Sequence, residues 1–368
     1  MNPAPPLEAT PLRTVAHVQS LRRSLLCFLC ALLAFVAVCI ALRKLLPLHV
    51  AGISYKLESF AAQKDEFDVV SIGTSRVYHG VVPSVFDDEA RALGYDSRSF
   101  NCGADGMATS EAFAITRRIL GQRPRRLRYL LFELESGIGA GTPLESAGVT
   151  VRNVYWRDWH SLVSAVRTFA DGISWDDPNL SGAPFSWRRW QFFGPIFSAN
   201  VRLWARHETG LGEGFDRVKQ AVAVLRHRGF SDKPPAPGWD GYYAMTRPMS
   251  GKTLATYRKN FAKVRAHPTK RKPDPVMQAE LARYVRRLAA KKIEVIFLVP
   301  PALTNRRGAG SNCPPGSPLL DYDDYERYPE FYAEEFRLDA DHLNDRGAKL
   351  FSARLAADFV RTIKPPDR

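Results

Sequence analysis

The longest apolar stretch of the chain lies near its amino terminus, where residues 24–42 carry no charged side chain. About 20 apolar residues are needed to cross the hydrocarbon core of a bilayer. A cleaved signal peptide has a shorter apolar region that is followed by small residues. We therefore predict an uncleaved transmembrane anchor over 24–47, with a cytoplasmic tail over 1–23 and a linker over 48–64.

The charges that flank this stretch do not set its orientation, because basic residues are about equally frequent on both sides. We place the long carboxy-terminal part outside the cytoplasm. This placement rests on the chemistry described below and on the common behaviour of single amino-terminal anchors.

From residue 67 onward, short apolar runs alternate with amphipathic helical patterns. Runs rich in β-branched and aromatic residues predict buried strands over 67–72, 97–101, 127–134 and 294–299. Helical spacing of apolar residues predicts helices over 83–93, 109–120 and 275–292, and a last helix that Asn344 caps. Strands that alternate with helices predict an α/β fold, a doubly wound parallel sheet.

The alternation breaks over residues 137–273, a segment rich in Trp and Arg. Helices are expected near 187–207 and 214–228, and a Pro-rich loop at 233–238. The strands on either side look like halves of one sheet. We therefore interpret the segment as a large, mostly helical insertion into a domain over 65–368; a second independent domain is the alternative.

Composition narrows the class of protein. With 45% hydrophobic and 24% charged residues the chain is globular, and 5 Cys exclude a disulfide-stapled scaffold. Cys102 and Cys313 either pair or remain separate thiols. The net charge of +14 includes basic clusters at 117–128 and 252–272. Each cluster alone is most simply a solvated face, but together they suit an acidic polysaccharide or an anionic lipid surface.

The segment Gly73-Thr74-Ser75-Arg76 follows the first predicted strand directly. In an open α/β sheet, ligands bind at the carboxyl ends of the strands. The Ser75 hydroxyl is therefore placed where it can react, and its own N–H can help to hold an oxyanion. The alternative is a turn glycine followed by a serine that caps a helix.

Asp339 and His342 are the best-placed partners for such a serine. A nucleophilic serine needs a base, and the base needs an orienting carboxylate. A spacing of three residues on a turn can bring the carboxylate to Nδ1–H and leave Nε2 for the serine. The other histidines lack an upstream Asp, lie in the Trp-rich segment, flank the anchor or follow Ser75 too closely. A surface-loop histidine is the alternative.

A third segment, Asn101-Cys102-Gly103, follows the second predicted strand. Glycine allows close approach of the backbone, and the Gly103 N–H can point at a developing negative charge. Asn101 could add a side-chain donor. Taken alone, the segment is a turn.

The order of the three segments resembles the SGNH (GDSL-like) hydrolase superfamily. In particular, it is similar to the membrane-anchored bacterial branch that includes the alginate O-acetylation proteins and the D-alanyl transfer protein of teichoic acid synthesis. The blocks that carry the resemblance are 72–76, 100–106 and 339–347, of which the last is the most specific. The resemblance covers about 65–135 and 275–365 and implies a flavodoxin-like fold.

The resemblance also implies roles for individual residues. These are Ser75 as nucleophile, His342 as base, Asp339 as its partner, and the N–H groups of Ser75 and Gly103 as oxyanion donors. The superfamily's third block, Gly-x-Asn-Asp, is absent, and residues 132–137 read Phe-Glu-Leu-Glu-Ser-Gly instead. Either Asn101 supplies the missing donor or the oxyanion hole is weaker. Arg76 is a candidate substrate-binding residue.

These features predict a membrane-anchored, extracytoplasmic acyltransferase or esterase with a Ser-His-Asp triad. Its substrates are O-acyl groups, in the simplest case O-acetyl, of a cell-envelope polysaccharide. The family context favours transfer, with a membrane-bound O-acyltransferase as partner, and location in the inner membrane with a periplasmic domain. The alternative is a non-catalytic envelope protein that binds glycan or such a partner. No cofactor, metal or nucleic acid is expected.

Overall fold

A computed structural model shows the alternation of strands and helices that the apolar pattern predicts. It describes residues 12–46, 48–134, 151–174, 187–210, 214–225, 236, 238–267, 273–303 and 308–363. The chain divides into a smaller unit, 1–48 with 205–228, and a larger unit, 49–204 with 229–368. The first residues of the predicted tail (1–11) and most of the predicted Pro-rich loop (233–238) lie outside the described residues.

Five parallel strands form one sheet in the larger unit. They are β1 (Val69–Ile72), β2 (Ser99–Asn101), β3 (Tyr129–Glu133), β4 (Glu294–Val299) and β5 (Leu319–Asp321). The order across the sheet is β2-β1-β3-β4-β5, and every neighbouring pair is parallel. This order confirms the predicted α/β class and places the reversal of strand order between β1 and β3, where open sheets form a crevice.

Twelve helices lie in the described residues. In chain order they are α1 (Leu12–Leu45), α2 (Ser54–Gln63), α3 (Ser75–Gly80), α4 (Pro83–Ala92), α5 (Thr109–Gly121), α6 (Val151–Tyr155), α7 (Trp159–Ser174), α8 (Trp187–Thr209), α9 (Gly214–Leu225), α10 (Gly251–Ala266), α11 (Pro275–Ala289) and α12 (Asp345–Ile363). Short 3-10 turns occur at Ala309–Asn312, Pro329–Tyr332 and Glu334–Phe336.

The core lies on both faces of the sheet. Leu131 of β3 belongs to a cluster with apolar side chains of α4 and α12, namely Phe86, Phe351, Leu355 and Phe359. Its neighbour Phe132 packs against Phe113 of α5 and Tyr284 of α11, with ring centroids 5.5 and 5.2 Å away. Because successive side chains of a strand point to opposite faces, helices cover the sheet on both sides.

In the smaller unit, residues 20–45 of α1 form a helix long and apolar enough to cross a membrane. Its 26 residues span about 39 Å at the usual rise per residue. Arg217 of α9 donates to the carbonyl oxygens of Leu46 (2.6 Å) and Arg43 (3.3 Å). These contacts satisfy backbone acceptors that the end of α1 leaves without a helical partner.

Several elements were not expected from the sequence. Residues 48–64, predicted as a linker, include α2, whose buried Phe60 packs against Phe67 and Phe100 at centroid distances of 5.6 and 5.5 Å. The basic stretch from residue 252 forms much of α10, and β5 adds a fifth strand. Cys102 and Cys313 are free thiols.

Candidate active site

The candidate site lies where β1, β2 and β3 end side by side. Ser71 of β1 is in register with Asn101 of β2, and Ile72 is in register with Phe132 of β3. Each strand therefore delivers its following residues to the same edge of the sheet. The segment that follows β1 turns at once into α3, which begins at Ser75.

The turn between β1 and α3 needs glycine at position 73. A Cβ atom there would overlap the Glu133 side chain and a methyl group of Val77. Thr74 then caps α3, since its Oγ1 accepts a hydrogen bond from the Arg76 N–H at 3.2 Å. The cap and the close packing together fix the direction in which the Ser75 side chain points.

Ser75, His342 and Asp339 form a hydrogen-bonded chain. The Ser75 Oγ lies 2.7 Å from His342 Nε2, and His342 Nδ1 lies 2.9 Å from both carboxylate oxygens of Asp339. An ionised carboxylate only accepts, so Nδ1 carries the proton and Nε2 is left to accept from the serine hydroxyl. Two segments that are far apart in sequence thus meet through these three side chains.

The Asp339 carboxylate is held by its own turn. Its Oδ1 accepts the N–H groups of Asp341 (2.7 Å) and His342 (2.9 Å). Burial alone raises the pKa of Asp339, but its hydrogen bond and electrostatic interaction with His342 and the two backbone N–H donors outweigh burial and lower the pKa to about 2. Asp339 is therefore an anion at neutral pH.

A buried arginine organises the turn that carries Asp339. Arg337 is fully buried, and its guanidinium donates to the carbonyl oxygens of Pro301 (3.0 Å) and Ala340 (2.6 Å). At the end of the turn, Asn344 Oδ1 accepts the Gly347 N–H at 3.0 Å, as the predicted cap of α12 requires. The cap was predictable from the position of Asn344, whereas no sequence pattern singled out Arg337.

Two of the three predicted oxyanion donors, the Asn101 side chain and the Gly103 N–H, already donate hydrogen bonds within the protein. Asn101 is fully buried, and its Nδ2 donates to the carbonyl oxygens of Val77 (2.8 Å) and Val81 (2.7 Å). The prediction that Asn101 provides a side-chain donor is therefore wrong, because both amide hydrogens are used at the end of α3. Its Oδ1 accepts the Gly103 N–H at 2.9 Å. Within the described residues, the Ser75 N–H is the predicted donor that has no acceptor.

Glu133 is the last residue of β3. It lies where the sequence lacks the Gly-x-Asn-Asp block. Its carboxylate accepts the Thr74 N–H (2.5 Å), the Thr74 hydroxyl (3.1 Å) and the Arg76 Nε (2.7 Å). The Glu133 side chain is fully buried, and that of Arg76 is 12% exposed. Arg76 is therefore tied to the turn that carries Ser75, and a role in substrate binding remains a prediction.

A second imidazole, which the sequence analysis set aside, borders the site. His79 lies one helical turn after Ser75 on α3, and its ring centroid is 6.2 Å from that of His342. His79 Nδ1 is 2.9 Å from the Tyr243 carbonyl oxygen, and Nε2 is 3.1 Å from Asp105 Oδ1. The four-residue spacing from Ser75 was the signal that could have identified it.

No family model and no curated protein matches the chain. In the part of the chain that the structure describes, no group of three or more His, Cys, Asp or Glu side chains is arranged to hold a metal ion. The interpretation of the site therefore rests on its own geometry and on the motifs that compose it.

Proposed function

We propose that the chain is an SGNH-like enzyme that moves an acyl group through an acyl-serine at Ser75. The observation that carries the proposal is the chain of contacts from Ser75 Oγ to His342 Nε2 (2.7 Å) and from His342 Nδ1 to Asp339 (2.9 Å). In a Ser-His-Asp triad, these are the contacts that each group needs for its role.

In the proposed reaction, His342 Nε2 takes the hydroxyl proton as Ser75 Oγ attacks the acyl carbonyl carbon. The bond to the leaving oxygen breaks, and that oxygen takes the proton from Nε2–H. Asp339 stays ionised and stabilises the imidazolium that forms in between. In the second half, a sugar hydroxyl or water gives its proton to His342 and attacks the acyl-serine, and Ser75 leaves with that proton.

The oxyanion of each intermediate needs donors, and the Ser75 N–H is the first that we assign. Asn101 is excluded, and the Gly103 N–H donates to Asn101 Oδ1. Removal of a single oxyanion donor typically costs about 10²–10³ in rate. We therefore expect turnover of simple esters to be slower than for a triad with a complete oxyanion hole.

The cell-envelope assignment draws on three further features. The strand order is the flavodoxin-like order that the resemblance implies. Helix α1 supports a single-pass membrane protein, and the inner membrane and a periplasmic site complete the proposal. The net charge of +14 suits an anionic envelope surface or polymer. With the motif order, these features favour transfer of O-acetyl groups to or from an envelope polysaccharide, in partnership with a membrane-bound O-acyltransferase.

A non-catalytic glycan-binding protein is the second candidate. It is favoured by one observation, namely that the Gly103 N–H donates to Asn101 Oδ1 and is therefore not free to bind an oxyanion. Such a protein would keep the fold and the charge and would not form an acyl-serine.

Acyl-enzyme trapping on the full-length protein in detergent micelles separates the two candidates. The protein is mixed with 4-nitrophenyl acetate, quenched in acid and analysed by intact-protein and peptide mass spectrometry. We expect one acetyl group on the peptide that contains Ser75, and a fall in the release of 4-nitrophenol by about 10³-fold or more in Ser75→Ala. Ser84→Ala, an exposed serine of α4, is the matched control. Absence of acetylation in the unaltered protein, or its persistence in Ser75→Ala, overturns the proposal.

A further inference from the structure

Part of the insertion lies against the elements that carry all three motifs. We call residues 239–249 the strap. Three backbone carbonyl oxygens of the strap accept hydrogen bonds from the rest of the protein. The Asp240 carbonyl accepts from Asn101 N–H (2.8 Å), the Tyr243 carbonyl from His79 Nδ1 (2.9 Å) and the Met245 carbonyl from Asp345 N–H (2.8 Å). The Tyr242 hydroxyl also donates to Asp345 Oδ1 at 3.0 Å. The strap therefore contacts the elements that carry all three segments of the candidate site.

A buried lysine fixes the strap further. Lys56 Nζ donates to the carbonyl oxygens of Asn101 (3.0 Å) and Gly241 (2.5 Å) and lies 3.8 Å from the centroid of the Tyr78 ring. Gly241 has a φ of 89°, and a Cβ atom there would overlap the Asn101 carbonyl. The backbone of the strap therefore packs closely against the end of β2.

On this fixed backbone the Tyr243 side chain is 56% exposed. Its ring lies 5.9 Å from that of His79 and 6.0 Å from that of Tyr78. Asp105, whose side chain is 69% exposed, meets the other nitrogen of His79. An exposed aromatic ring and an exposed carboxylate therefore both flank His79, whose ring packs edge-on against that of the proposed base, His342.

These two groups match the chemistry of a sugar. A pyranose presents flat faces of C–H bonds and edges of hydroxyl donors. A tyrosine on a rigid backbone offers a large apolar face at low entropic cost, and a carboxylate accepts hydroxyl hydrogen bonds. The hydrogen bond from His79 lowers the pKa of Asp105, against the effect of burial, so this acceptor is charged. Its charge disfavours a carboxylated sugar at this position.

We propose that Tyr243 and Asp105 form a subsite for a neutral sugar residue beside His342. Tyr243 packs against the face of the sugar ring, and Asp105 accepts from one of its hydroxyl groups. The inference rests on the proposed function and deepens it, because it places the sugar that receives or surrenders the acyl group. The subsite belongs to the insertion as much as to the sheet.

The test measures binding without chemistry, so that its failure differs from failure of acyl transfer. Full-length Ser75→Ala protein in detergent micelles is titrated with cellopentaose, chitopentaose and mannopentaose, and with pentagalacturonate as an anionic probe. Calorimetry gives the Kd for each. In 0.5 M NaCl, which screens the attraction of the +14 net charge for anions, we expect at least one neutral probe to bind more tightly than pentagalacturonate. Added Tyr243→Ala should weaken that binding at least tenfold, and added Asp105→Asn at least threefold.

Two further variants make the test specific. Tyr243→Phe keeps the ring and should stay within threefold of the parent Kd. Trp159→Ala removes an aromatic side chain of similar exposure, 57%, from α7 and should have no effect. The inference is overturned if no neutral probe binds, if Tyr243→Ala binds as the parent does, or if Trp159→Ala weakens binding as much. Acetylation of Ser75 in the unaltered protein, measured separately, reports on the proposed function alone.

Discussion

The carboxylate of Glu133 accepts a 2.7 Å hydrogen bond from Nε of Arg76. Glu133 ends β3 and Arg76 follows Ser75 in α3, so this ion pair joins the strand to the turn that carries the serine. The same carboxylate accepts the Thr74 N–H and hydroxyl. A buried charge is stable only when it is paired and hydrogen-bonded. The position of Ser75 therefore depends on Glu133, a residue to which the sequence motifs assigned no role.

Glu133→Gln tests this dependence. The variant keeps the volume and one acceptor oxygen but removes the negative charge that lies 2.7 Å from Arg76 Nε. Breaking a buried pair costs about 3–5 kcal/mol, so we expect the free energy of unfolding to fall by roughly that amount. The rate of Ser75 acetylation should fall as well, because the serine is no longer held in place. Denaturant unfolding and single-turnover acetylation measure the two effects.

The control for Glu133→Gln is a double-mutant cycle with Arg76→Gln. If the two side chains act as a pair, the double variant should be less destabilised than the sum of the single variants. Additive losses would contradict the pairing of Glu133 with Arg76.

Asp339→Asn should abolish most activity and leave the fold intact. An amide in place of the carboxylate no longer holds His342 with its proton on Nδ1, and the corresponding change in a known triad costs about 10⁴ in rate. Asp341→Asn is the matched control, because Asp341 is two residues away and contacts Asp339 through its backbone N–H, which the substitution keeps. Release of 4-nitrophenol from 4-nitrophenyl acetate measures both. Equal losses in the two variants would remove Asp339 from its proposed role.

Gly73→Ala should destabilise the protein through overpacking. The added methyl group meets Glu133 and Val77, and such insertions typically cost about 1–3 kcal/mol. Gly121→Ala, at the end of α5, is the control because no atom lies within 4 Å of the new Cβ. Denaturant unfolding of both variants measures the difference. A Gly73→Ala protein as stable as Gly121→Ala would show that the turn adjusts at no cost.

The strands were predictable to different degrees for a physical reason. β4 has the predicted bounds, Glu294–Val299, because a strand buried on both faces appears in the sequence as an unbroken apolar run. β5 (Leu319–Asp321) was missed because its three residues show no period and follow Pro318, whereas the equally short β2 lies within the predicted run 97–101. Helix α2 was missed because its short sequence was interpreted as part of a linker. The burial of Phe60, which ties the helix to the core, appears only in the structure.

The candidate site shows the same limit in its side chains. The motifs identified Ser75, Asp339 and His342 because the chemistry of each depends on residue type and local spacing. The partners of Glu133 and Asn101 come from other elements, and no local pattern reports which carbonyl or N–H group will face them. For this reason Asn101 was predicted as an oxyanion donor, although its Nδ2 hydrogens bond to carbonyl oxygens at the end of α3.

The ammonium group of Lys56 lies against the strap, and 1% of the residue is exposed. Burial lowers the pKa of Lys56 from 10.5 to about 7, although Cys102, Asp240 and Asp105 oppose the shift. Between these two values the unfolded chain holds a proton that the folded protein has released. Stability therefore rises with pH across this window. The penalty is complete below pH 7 and is gone above pH 10.5.

Lys56→Met removes this titration and should flatten the pH dependence. From pH 7 to pH 9, the free energy of unfolding of the unaltered protein should rise by roughly 2 kcal/mol relative to the variant, since one pKa unit corresponds to about 1.4 kcal/mol. All other groups titrate in both proteins, so the difference between the two curves isolates Lys56. Denaturant unfolding of full-length protein in micelles at pH 7, 8 and 9 gives both curves. Parallel curves over this range would mean that Lys56 keeps its proton in the folded protein, stabilised by the Asn101 and Gly241 oxygens and the Tyr78 ring.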